Sequence, residues 1–125
     1  MVDIDRFAAI LEEQAALLPK VVLKNLNLGI GVSEKAKRDR RARPGLALYI
    51  LGEYHVHHVM GRGVVLYYGS FQQARPGLMD DEELLRPEID RVLRHELTHH
   101  LESQAGNRDL EYDDAVNLAR WNREI

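Results

Sequence analysis

The sequence predicts an α+β fold, in which a small, mostly antiparallel sheet packs against an N-terminal helix and a later, histidine-bearing helix. Three observations predict it. Apolar residues recur at helical spacing over residues 4–18 and again beyond residue 80, and short β-branched and aromatic runs lie between them. The two kinds of pattern are segregated along the chain rather than alternating.

The first helix is read from Ile4, Phe7, Ala8, Ile10, Leu11, Ala15 and Leu18, with Asp3 as its cap and Pro19 as its stop. The runs "LNLGIGVS", "LALYILGEYHV" and "GVVLYYGSF" follow as strands bounded by glycines. Gly61 and Gly63 predict a hairpin between the last two, with Arg62 at its tip, and "EKAKRDRRARPG" reads as a charged loop between the first two. A helical turn at 81–85 is expected before the main helix. Because proline suits a first turn, that helix is expected to start near Arg86 or Pro87 and to end at Gly106. "YDDAVNLARWNREI" reads as a last helix, whose Trp121 and apolar positions pack internally or against another copy.

With 125 residues, 45% of them hydrophobic, the chain suits a single domain over 1–125. A formal charge of -3 gives no general attraction to nucleic acid or anionic membranes. The absence of cysteine excludes disulfides, thiolate metal sites and thiol nucleophiles, so any metal must use histidine and carboxylate ligands. The N-terminal stretch has no basic leader and is interrupted by Asp3, Asp5, Glu12 and Glu13, so neither a signal peptide nor a membrane span is expected. A cytoplasmic location is the expectation.

The chemistry concentrates in "RHELTHHLES", residues 94–103. At about 100° per residue, His99 lies about 40° around the helix from His95 and one turn along it, so both imidazoles can reach one ion. Ile89, Leu93, Leu97 and Leu101 form a second stripe that faces the core. Glu96, between the histidines, projects beside the metal position. This is the HExxH arrangement, in which two imidazoles hold Zn²⁺ and the carboxylate serves as general base to a zinc-activated water.

Together, "YILGEYH", "GVVLYYGSF" and "IDRVLRHELTHHLES" resemble the small bacterial zincin-like metallopeptidase family, the minimal metalloproteases. The resemblance covers residues 4 to 115. It implies a zincin-like fold, zinc as cofactor, His95 and His99 as ligands, Glu96 as general base and a peptide or protein as substrate. Family members often continue HExxHxxGxxD, where the aspartate is the third ligand. Here position 102 is Glu102, and Gly106 and Asp109 arrive four residues late, about one helical turn. Asp109 is the expected third ligand, with Asp113, Asp114 and Glu102 as rivals. Asp109 and Asp113 would also serve as ordinary helix caps, and Glu102 as a partner orienting a histidine.

Several other residues carry a structural and a functional reading. His100 points away from His99 and reads as a packed or hydrogen-bonded side chain. In "YHVHH", His55 and His57 share one strand face and read as exposed polar positions or, less favourably, as ligands; His58 adjoins them. Tyr67 and Tyr68 read as sheet packing, or as a phenol that stabilises an oxyanion. Either hairpin strand is a candidate edge for pairing with an extended substrate.

The basic run Lys35, Lys37, Arg38, Arg40, Arg41 and Arg43, set against Glu34 and Asp39, reads as a solvated loop or a guide for acidic peptides or RNA phosphates. No aromatic residue is interleaved, which leaves no stacking platform, and nucleic acid is not the expected partner. Two rivals to a zinc metallopeptidase stand beside it. One is a non-catalytic metal-binding domain. The other is a metal-dependent endoribonuclease, against which stands Ala105, where those enzymes place a third histidine.

Overall fold

Asp3 opens the first helix, α1 (Ile4–Ala16), by accepting the Arg6 backbone N–H at 2.7 Å on its carboxylate. Phe7, Ile10 and Leu11 then form its buried face. The helix stops before Pro19, and a 3₁₀ turn (Lys20–Leu23) carries the chain to the sheet. The computed structural model describes residues 1–41 and 48–106. The expected last helix, with Asp109, Asp113, Asp114 and Trp121, lies outside the described residues, as does Arg43.

The strands are β1 (Gly29–Ser33), β2 (Lys37–Arg38), β3 (Tyr49–Ile50), β4 (Gly52–His57) and β5 (Gly61–Tyr67). Three of them form a sheet in the order β1-β5-β4, and β2 pairs with β3 in a separate antiparallel ribbon. β4 and β5 are antiparallel, with Gly52 opposite Leu66, but β1 runs parallel to β5, with Gly29 opposite Gly63. The sheet is therefore mixed, where the sequence led us to expect a mostly antiparallel one. The segment read as a plain charged loop contributes β2 to the ribbon, so the chain leaves the sheet after β1 and returns along the far strand.

Three local expectations need correction. The hairpin turns at residues 58–60, and Arg62 sits within β5 opposite Val56 rather than at the tip. The turn is set by Gly61, whose φ of +105° favours glycine, and by the Asn27 amide, which donates to Met60 O and accepts from Arg62 N–H. Second, "GVVLYYGSF" is strand only as far as Tyr67. Tyr68 begins a helix, α2 (Tyr68–Ala74), because Tyr68 and Phe71 both meet Phe7 edge-on, at ring-centroid distances of 5.4 and 4.9 Å.

Third, the long helix α3 (Glu82–Gly106) is continuous from Glu82, with Pro87 inside it. Asp81 sets the earlier start by accepting the Glu83 and Leu84 N–H groups. Pro87 removes a single ladder bond near an end where N–H groups lack intrahelical partners.

The core lies between one sheet face and the two long helices. Val64 and Leu66 of β5 meet Phe7, Ile10 and Leu11 of α1 and the stripe Ile89, Leu93, Leu97 and Leu101 of α3. Burying each such side chain contributes about 1.5–3 kcal/mol. At the helix ends Arg6 grips Glu82 and Arg86 grips Glu13, which ties α1 to the start of α3. Among the described residues no helix is long and apolar enough to cross a membrane.

Candidate metal centre

The stripe that buries Leu93, Leu97 and Leu101 fixes the rotation of α3, and with it the outlook of every polar residue on the helix. His95 and His99 emerge on the exposed side with ring centroids 4.9 Å apart and planes at 88°. Glu96 falls inside, only 7% exposed. One potential ligand atom from each of His95, Glu96 and His99 lies within 4.8 Å of the others. That donor set fits a zinc ion: two imidazoles one helical turn apart, open on the solvent side, with a carboxylate beside them.

Glu96 is held by the sheet. Its carboxyl accepts a hydrogen bond from the Tyr54 backbone N–H, and its Cγ lies 3.4 Å from where a side chain on Gly52 would begin. Burial, and after it the negative charge of Glu53, pushes the Glu96 carboxyl up to about 7, while the Tyr54 bond pulls the other way. A carboxylate near neutrality is matched to taking and giving a proton. The His95 imidazole is shifted down, first by desolvation and then by the charges of His99 and Arg91, which favours the neutral form that binds metal.

β4 positions the other wall. Because Tyr67 N–H bonds Leu51 O, the antiparallel alternation turns the backbone groups of Glu53, His55 and His57 toward β5 and those of Gly52, Tyr54 and Val56 toward the open edge. Glu53, Tyr54, Glu96 and His99 line a cleft of about 350 Å³. Among the described residues β5 is flanked on both sides, so of the two hairpin strands it is β4 that presents an edge.

His100, expected to be packed or hydrogen-bonded, is fully buried. Its Nε2 is 2.7 Å from the Lys24 carbonyl and must donate, so Nδ1 accepts from the Tyr54 hydroxyl at 2.8 Å. Glu102 stays exposed, with its Oε2 3.8 Å from His99 Nδ1, beyond hydrogen-bond reach.

His55 and His57 alternate with Tyr54, which faces α3, and so belong to the opposite sheet face. His57 Nδ1 caps the hairpin turn by accepting the Val59 and Met60 N–H groups. Neither tyrosine after Leu66 offers a free phenol. Tyr67 donates to Glu53 at 2.7 Å and Tyr68 to Val2 O at 2.6 Å. In the basic run, Lys37 pairs with Glu53, and Arg41 folds back on Asp39.

Glu53 and Tyr54 are the site residues that sequence reasoning missed. The signal was present in "GEYHVH", whose period of two puts Glu53 and Tyr54 on opposite faces, but nothing local tells which face meets the histidine helix.

No family model matches the chain, and no curated protein does. The chain is similar to a conserved hypothetical protein of T. thermophilus. The match to that solved structure has a TM-score of 0.67 and 29% identity, over 84% of this chain and 99% of the T. thermophilus chain. The likeness extends over most of the α+β architecture described above.

Proposed function

We propose that this protein is a zinc-dependent metallopeptidase of zincin-like fold, with His95 and His99 as metal ligands, Glu96 as general base and β4 as the edge on which an extended peptide lies. The observation that carries this reading is the convergence of His95, Glu96 and His99 within 4.8 Å at a cleft bounded by an open strand edge. A third ligand is sought in Asp109, four residues or about one helical turn later than the family pattern has it, with Asp113 and Asp114 as rivals.

A zinc ion bound there supplies Lewis acidity toward a water and a substrate carbonyl. The chain's own residues do the rest. The open-edge backbone groups of Gly52 and Val56 and the Tyr54 carbonyl pair with the substrate main chain and hold it extended past the cleft, the Tyr54 N–H being taken by Glu96. Glu96, steadied by the Tyr54 N–H, takes a proton from the attacking water and returns it to the departing amine.

The test joins metal content and hydrolysis. Zinc is expected at about one per chain in the wild type and in Glu96→Gln, and to be absent from His95→Ala/His99→Ala. Glu96→Gln is expected to lose about 10²-fold or more of peptide hydrolysis. Hydrolysis at the wild-type rate in Glu96→Gln would show that Glu96 is not the base.

A further inference from the structure

Glu53 is fixed as an acceptor at the mouth of the cleft. Its Oε1 takes both the Lys37 ammonium and the Tyr67 hydroxyl, the latter at 2.7 Å. Its other oxygen, Oε2, has no hydrogen bond among the described residues. Burial works to raise the Glu53 carboxyl, but the Lys37 pair and the Tyr67 bond together outweigh it and hold the group below the usual carboxylate range, as an anion. Lys37 lies 5.6 Å from the centroid of the Tyr67 ring, which keeps the ammonium on the Oε1 side.

The strand register gives this anion a direction. Glu53 and His55 share one face of β4, opposite to Tyr54. A peptide added along the open edge, as the peptidase reading requires, sets alternate side chains against that same face. A substrate residue paired across from Glu53 therefore sets its side chain on the same face as that carboxylate, and Glu53 also lines the cleft that holds Glu96 and His99. The contact thus falls close to the bond under attack.

We propose that Glu53 is a specificity-determining residue that selects a cationic group, a lysine or arginine side chain or a free α-ammonium, at the substrate position beside the scissile bond. The assignment rests on the peptidase reading for its register, but it can fail independently. Opposite charges paired across strands favour association by up to about 1 kcal/mol, or about fivefold.

The measurement is kcat/KM of the zinc-loaded protein on N-acetylated peptides carrying lysine, norleucine or glutamate at each position flanking the cleaved bond, with unacetylated forms of the norleucine set. Binding of the same peptides to zinc-loaded Glu96→Gln is measured in parallel. Wild type is expected to prefer the cationic peptide by about fivefold over norleucine, with the preference falling as salt is raised, and Glu53→Gln to reduce it below about twofold. A preference confined to unacetylated peptides would assign the cation as the α-ammonium, and one tracking lysine would assign it as the side chain.

No cation preference in the wild type, or one that Glu53→Gln leaves intact, overturns the assignment. So does loss of zinc from folded Glu53→Gln, which would make Glu53 a metal ligand. Should Glu53→Gln fail to fold, the wild-type preference and its salt dependence decide the matter alone. Selective binding without hydrolysis of any peptide would overturn the peptidase reading and leave cation recognition by Glu53 standing.

Discussion

The Tyr54 hydroxyl donates to Nδ1 of His100 at 2.8 Å, joining the edge strand β4 to the long helix α3. The same tyrosine's backbone N–H holds Glu96, so one residue of β4 fixes two residues of α3. Removing the hydroxyl leaves a fully buried ring nitrogen without its donor. Tyr54→Phe is expected to destabilise the metal-free protein by about 1–3 kcal/mol, read from denaturant unfolding. A loss under about 0.3 kcal/mol would mean that the bond contributes nothing net.

Burial holds His100 in its neutral form and lowers its pKa. The unfolded chain then binds more protons than the folded one below about pH 6.5, so this group's contribution to stability is lost as pH falls through that value. His100→Gln should flatten this part of the stability profile of the metal-free protein. An unchanged slope between pH 7 and pH 5 would contradict the assignment.

Glu96 acts in the opposite sense. Its carboxyl is raised from 4.5 to about 7, so the folded state holds the proton more tightly, and stability from this group is present at acid pH and lost as pH rises through 4.5 to 7. Glu96→Gln removes that loss. The melting temperature of the metal-free variant should gain on wild type between pH 5 and pH 8, and a gap independent of pH would refute the burial argument.

At Gly52, β4 passes tight against α3. A Cβ there would lie 2.9 Å from Val92 Cγ1 and 3.2 Å from Val65 O, beside Glu96. Gly52→Ala should cost about 1–3 kcal/mol through overpacking and, by shifting Glu96 against the Tyr54 N–H, reduce zinc-dependent hydrolysis. Gly31→Ala is the control, since a Cβ on Gly31 meets nothing within 4 Å. Its unfolding midpoint should match or exceed that of wild type.

Local periodicity carries α1, the α3 stripe and the HExxH pair, because each repeats a short-range relation along one element. Asp3 as cap, the burial of Leu93, Leu97 and Leu101, and the proximity of His95 to His99 are all visible in spacing alone. Misreadings arose where a distant contact outweighs local preference. Tyr68 begins a helix because Phe7 packs against it, and β1 lies parallel to β5 because of where the chain returns after the ribbon.

By itself, then, the sequence determined that two histidines and a glutamate share a region of one amphipathic helix, since an α-helix brings positions one turn apart together whatever surrounds it. Only the tertiary structure decided which strand is the open edge, that Tyr54 braces Glu96 and His100, and that Lys37 and Tyr67 hold Glu53 at the cleft. Those relations join residues that are separated along the chain: the packing of the sheet on α3 brings Tyr54 to Glu96 and His100, while the pairing of β4 with β5 and the β2–β3 ribbon bring Tyr67 and Lys37 to Glu53.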